Sequence, residues 1–219
     1  MLFHHGTMSE ETATRRRRYS SPLRAAQAGQ TRLAIIAAAS RLFAEKGWSG
    51  TGMRDVARAA QVSVETVYAN FGSKGALLRE ALDVAVVGDD EPVPLSGRPE
   101  FRALADGDAR ARAQATGRLL AVMHRRTAAL YRVQQHAATA DAEMAALLRT
   151  NQARERAQVR EGVLAVARRE VTETEVDALF AVLSNDVFLL LTETTGWSDD
   201  QYASWVATTV ARLLDLGED

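Results

Sequence analysis

The 219-residue sequence has no cysteine, which excludes disulfide staples, thiolate zinc sites and iron–sulfur clusters together and suits a reducing cytoplasm. Proline is scarce at four residues, and with 14 glycines and 47 % apolar residues the chain is neither collagen-like, low-complexity nor wholly disordered. No stretch approaches the roughly 18 to 20 uninterrupted apolar residues that a membrane span needs, and Met1-Leu2-Phe3-His4-His5 has no apolar signal core behind it. The expectation is a globular, cytoplasmic protein long enough to bury a core without staples. Met8 is a second candidate start, so the first seven residues carry no weight in the reading of the fold.

A net charge of −1 is unevenly distributed. Residues 1–80 hold ten arginines and two lysines against six acids, a formal +6, and the remaining 139 residues carry −7. A basic first third on an acidic remainder fits a polyanion-binding head and a body of another function. Arg15 to Arg18 supply four of those charges and are open to two readings, an arm reaching a DNA groove or a solvated tail.

Apolar residues recur at spacings of three and four, and almost nothing alternates as a strand would, so the fold class is all-α. Thr31 to Lys46 aligns Leu33, Ile36, Ala39 and Phe43 and stops at Gly47. A short helix over Thr51 to Ala60, with Thr51 placed to cap, precedes a turn at Gln61-Val62. Ser63 can cap a second short helix, Val64 to Phe71, with Val67 and Phe71 facing inward. Two short helices about such a turn make a helix-turn-helix pattern. A longer helix runs to about Val87, and a loop over Gly88 to Pro99 holds three of the four prolines. Further helices are expected near 99–105, 108–139 with room for one break, 141–169, 173–195 and 198–216. The last two are apolar on more than one face and offer either a monomer core or a subunit interface.

The run Gly47-Trp48, Thr51, Asp55-Val56-Ala57, Ala60, Val62-Ser63, Thr66-Val67-Tyr68, Phe71, Ser73-Lys74 and Leu77-Leu78 closely resembles the N-terminal signature of the tetracycline-repressor (TetR) family of bacterial transcriptional regulators. The body, including Gly196-Trp197-Ser198, looks like that family's helical regulatory domain. Four positions depart from the pattern: Gln61 stands where glycine is usual, Asn70 for histidine, Gly52 for threonine and Gly75 for an acid. Gln61 must then tolerate an unusual backbone or shift the turn. The resemblance implies a basic arm at 1–28, a three-helix DNA-binding domain at 29–76 and a ligand-binding and dimerisation bundle at 77–219.

The same resemblance makes Val64 and Glu65 candidates for base edges, Val64 suiting a thymine methyl and Glu65 accepting from cytosine N4. Glu65 is equally an ordinary acid favoured by a helix dipole. Tyr68 offers a ring to sugar and a hydroxyl to phosphate, or packs half-buried on the preceding helix. Thr51, Ser63 and Thr66 are small hydroxyls near helix N-termini, where they can cap, hold phosphate or do both. Lys74 resembles the family's phosphate-binding lysine, and Arg54 and Asn70 are further phosphate candidates.

The sequence lacks Gly-x-x-x-x-Gly-Lys-Ser/Thr, Gly-x-Gly-x-x-Gly, Gly-x-Ser-x-Gly and His-Glu-x-x-His, which argues against an enzyme and against a metal or resident cofactor. In the body, Met123, His124, Thr127, Tyr131 and Gln134 run at helical spacing, Asn185 and Asp186 interrupt an apolar helix, and Phe188 follows. A few polar groups in an apolar wall suit a small-molecule effector pocket, although such stripes are also plain core. The implied protein is a homodimer through its last two helices, binding a pseudo-palindromic double-stranded DNA operator and released by an effector. Control by a protein partner and a helical enzyme with a DNA-binding head are the alternatives.

Overall fold

The computed structural model describes residues 22–89, 91 and 93–217, with side chains described from residue 26 onward. The arginine run 15–18 lies outside the described residues. Among the described residues ten α-helices follow one another: α1 Pro22–Lys46, α2 Met53–Ala59, α3 Val64–Phe71, α4 Lys74–Val87, α5 Pro99–Arg102, α6 Ala109–Ala138, α7 Ala142–Ala167, α8 Glu173–Val182, α9 Asn185–Leu189 and α10 Asp199–Leu213. Two 3₁₀ turns flank α5, and a π-helical turn at Leu190–Thr194 continues α9. No strand occurs among the described residues.

Two apolar cores organise these elements. The first gathers Ile35, Ala39 and Phe43 of α1, Val56 of α2, Val67 of α3 and Leu77 and Leu78 of α4. It extends into Leu130 and Val133 of α6 and Met144 of α7, so the head rests on one end of the long body helices. The second holds Leu104, Val163, Leu179, Phe188, Tyr202, Val206 and Leu214. At its centre α6 crosses α10 so closely that a Cβ on Gly117 would lie 2.2 Å from the Ala203 carbonyl oxygen. No larger residue fits there without moving a backbone.

Helix ends fall where side chains can satisfy free amides. Ser63, Ser73, Asp108, Asp141, Thr172, Ser184 and Ser198 all accept hydrogen bonds from the first turns they cap. Several expected bounds are revised. α1 begins at Pro22 rather than Thr31: residues 22–30 are rich in alanine and glutamine, good helix formers without an apolar stripe to signal them. α6 runs unbroken for 30 residues. The helix expected over 173–195 breaks, because Ser184 ends one segment and caps the next through the Val187 amide. The boundary expected at residue 76 falls inside α4, which joins both regions without interruption.

Candidate nucleic-acid interface and body cavity

The turn between α2 and α3 is built around Gln61, whose φ of +57° lies in the left-handed region where glycine is at home. Its amide donates to Arg58 O at 3.2 Å and the Val62 amide to Ala57 O at 3.0 Å, so backbone bonds hold the unusual conformation and the turn is not shifted. The α3 helix then has two faces. Val67 and Phe71 are buried in the head core, with the Arg32 guanidinium 4.7 Å from the Phe71 ring centroid. Glu65, Tyr68 and Asn70 face solvent, and Tyr68 is 51 % exposed despite its ring. Val64 is half-buried against the core.

Ser63 and Thr66 form a local pair. The Ser63 hydroxyl accepts the Thr66 amide at 3.1 Å and shares a hydrogen bond with the Thr66 hydroxyl at 3.0 Å. Asn70 Nδ2 donates to Thr66 O at 2.8 Å, leaving its oxygen outward, and Arg54 sits exposed on α2.

Two residues of this set have inward-directed roles that differ from those expected. Gly52, not Thr51, is the N-cap of α2. Thr51 is buried, and its hydroxyl donates to Leu42 O at 3.0 Å and Gly47 O at 2.9 Å, tying the turn to the end of α1. Its hydroxyl is thereby withdrawn from any phosphate. Lys74 is half-buried and bonded within the head. Nζ donates to Trp48 O at 2.8 Å and Thr51 O at 3.1 Å and lies 4.0 Å from the centroid of the Trp48 ring, which in turn stacks on Phe43. Burial there pulls the ammonium below its ordinary pKa.

In the body, a slot between α6 and α7 is closed by α4 and by the loop after it. It has two lobes that share Leu95, Met123, Glu155 and Gln158. The smaller lobe, about 80 Å³, is walled by Phe101, Leu104, Leu119, Leu120, Leu179 and Leu183, with Thr116, His124 and the shared Glu155 and Gln158 its polar neighbours. The larger, about 270 Å³, is lined by Thr127, Tyr131, Gln134, Asn151 and Asn185 with the charged Asp83, Arg154 and Glu155. Together they reach the lower end of pockets that hold drug-sized ligands, roughly 300 Å³.

Six of the seven expected pocket residues border one or both of these lobes: Met123, His124, Thr127, Tyr131, Gln134 and Asn185. Phe188 is the exception. It stands behind the wall, edge-on to Tyr202 at 4.9 Å and 5.7 Å from the His124 ring, as part of the second core. His124 Nδ1 pairs with the Tyr202 hydroxyl at 2.8 Å, and burial lowers its pKa to about 4, so the ring is neutral. Asn185 Oδ1 accepts from Thr127 Oγ1 at 2.8 Å. Gln134 differs from all of these: it is fully buried, and neither its amide nitrogen nor its oxygen has a partner among the described residues. The opposite wall carries no signal in the sequence. Asp83, Asn151, Arg154 and Glu155 come from α4 and α7, and the run Arg154-Glu155-Arg156 reads as a solvated face. Among the described residues no cluster of histidine and acidic side chains could hold a metal ion, and no helix is long and apolar enough to cross a membrane.

The all-α arrangement is that of a helix-turn-helix head on a larger helical body. Residues 35–81 match the family described as bacterial regulatory proteins, tetR family, and the fold is that of TetR-family transcriptional regulators. A protein from Rhodococcus sp. assigned to that family superposes with a TM-score of 0.63 at 16 % identity, covering 84 % of this chain and 98 % of its own. A second such protein, from Mesorhizobium loti, gives 0.63 at 20 % identity over 86 % of this chain and 97 % of its own. The multidrug binding protein EbrR, complexed with imidazole, gives 0.54 at 24 % identity over 87 % and 92 %. At these identities the likeness is one of fold. Comparison with curated proteins returned no match.

Proposed function

We propose that the protein is a homodimeric transcriptional repressor that binds a pseudo-palindromic operator and is released by a small-molecule effector. The observation that carries this reading is the two-faced α3, fixed by Val67 and Phe71 while Glu65, Tyr68 and Asn70 stand in solvent. A helix so presented fits a major groove, and two heads roughly 34 to 36 Å apart would meet successive turns of DNA. Tyr68, Asn70 and Arg54 are the backbone contacts, with Val64 and Glu65 at the base edges. Dimerisation uses the last helical segments, where Leu190 and Leu213 remain 55 % and 39 % exposed.

The slot in the body takes the effector, a reading supported by its size and mixed lining and by the likeness in fold to the multidrug binding protein EbrR. Lys74 and Leu77, in the head, share α4 with Asp83, Val86 and Val87, which line the slot. An effector that shifts this helix changes the head spacing, and a coupling of about 1 to 3 kcal/mol suffices.

The test is binding of the full chain to DNA upstream of its own gene, titrated over salt against random duplex. A dimer-sized footprint is expected, lost with Tyr68→Ala while the dimer persists. Binding no tighter than to random DNA, or a footprint unaffected by Tyr68→Ala, overturns the assignment.

A further inference from the structure

The chemistry of the slot goes further than its existence. Its inner lobe is almost wholly apolar, so it accepts a hydrocarbon or aromatic body. Its outer lobe carries two carboxylates, Asp83 and Glu155, against one guanidinium, Arg154. None of the three forms an ion pair among the described residues. Glu155 lines both lobes and so sits where the apolar and polar lobes meet. Burial, with the Asp186 carboxylate nearby, pushes Glu155 up to about 7, which marks a carboxylate in want of a positive neighbour. Asp83 is likewise raised by burial and by Glu80, partly offset by Arg79 and Arg154.

Gln134 supplies an independent observation. Gln134 borders the outer lobe, and a fully buried amide whose donor and acceptor both lack a partner among the described residues is costly, because such groups normally find partners. A ligand hydrogen-bonding group in the outer lobe would satisfy it.

We propose that the slot binds an amphiphilic organic cation: an apolar body in the inner lobe, a positively charged nitrogen at Glu155 with Asp83 near the mouth, and a hydrogen bond to Gln134. The assignment rests on the body being an effector-binding domain and adds the charge class of its ligand. An anion of the same shape would meet Glu155 and Asp83 and is rejected; a neutral isostere keeps only the apolar contacts.

Three probes of one skeleton test this by calorimetry on the full chain at pH 8, where Glu155 is ionised: 4-phenylbutylamine, 4-phenylbutanol and 4-phenylbutyrate. The amine is expected to bind at least tenfold more tightly than the alcohol, with the carboxylate weakest. Glu155→Gln removes the tenfold preference of amine over alcohol. Equal or tighter binding of the alcohol or the carboxylate overturns the charge class, as does a preference that survives in Glu155→Gln. Absence of binding by all three overturns the site. The footprint on upstream DNA, measured in parallel without probes, decides the regulator reading separately, so either can fail while the other stands.

Discussion

The head and the body of this molecule treat their polar groups in opposite ways. In the head, Thr51, Lys74, Ser63 and Thr66 are bonded within the domain, and the outward side chains of α3 are those left for a partner. In the body, the buried Gln134 and the half-buried Glu155 border a cavity without a hydrogen-bond or ion-pair partner, respectively, among the described residues. A surface that docks on a rigid duplex benefits from a frame whose geometry is already fixed. A cavity that must respond to a ligand benefits from groups whose satisfaction depends on that ligand, at a cost in stability of the empty form.

The largest effect expected from disturbing this contrast lies at Gly117. A valine there would drive its Cβ into the Ala203 carbonyl, since α6 and α10 meet at that point. Overpacking of this kind costs about 3 kcal/mol, a fall in Tm of roughly 10 °C by calorimetry. The body should unfold first, and a single transition with unchanged Tm would show that the crossing has slack.

Acid should act on the body through two opposed groups. His124 has a folded pKa of about 4, below the ordinary 6.5, so as pH falls from 6.5 to 4 the unfolded chain takes up a proton that the folded one refuses. The protein then loses up to about 3 kcal/mol, with no further loss below pH 4. Glu155 runs the other way: raised from 4.5 to about 7, it destabilises the fold as pH rises through that window. Allowing for its partial exposure, about 2 kcal/mol is at stake. The two slopes nearly cancel in the wild type between pH 4.5 and 6.5. Urea unfolding of Glu155→Gln at pH 4.5 and 7 is expected to uncover the His124 slope and to give a more stable protein at pH 7. An unchanged pH profile would mean that Glu155 is solvated in the free protein.

Gln134→Leu sharpens the same point, because it removes two unmatched buried groups while keeping much of the side-chain volume. A gain of about 1 to 2 kcal/mol is expected in urea melts without ligand. A loss of stability would reveal that Gln134 has a partner in solution. The smallest effect belongs to the head: Gln61→Gly should relieve the left-handed backbone of the turn and gain about 0.5 to 1 kcal/mol net of glycine's added chain entropy. DNA affinity should stay unchanged, since the turn keeps its shape.

The same contrast explains which parts of the molecule are legible in the sequence. The bounds of α3 are, because a hydroxyl cap, two apolar residues four apart and a glycine stop coincide between Ser63 and Gly72. The α6 half of the slot is legible because Met123, His124, Thr127, Tyr131 and Gln134 recur at helical spacing. Its other half is not, since α7 is so densely charged that Glu155 is indistinguishable in sequence from its solvated neighbours. The break at Ser184 is hidden by a leucine-rich run without glycine or proline to mark it. Phe188 has the right spacing and the wrong depth, a distinction that only packing makes. Thr51 and Lys74 resemble surface ligands in sequence, but the Thr51 hydroxyl turns back to carbonyls at the end of α1, and Lys74 reaches the carbonyls of Trp48 and Thr51, which local sequence does not place beside it.

The tie of Lys74 to the Trp48 turn has a practical chemical meaning. The chain has only two lysines, Lys46 and Lys74. Lys46 lies exposed at the end of α1, whereas the Lys74 ammonium is held by two carbonyls and covered by an indole. Acylating reagents should therefore modify one side-chain amine rapidly and the other only as the turn opens. The rate at which Lys74 reacts becomes a clock for the opening of the DNA-binding head, readable by mass spectrometry without engineering a label.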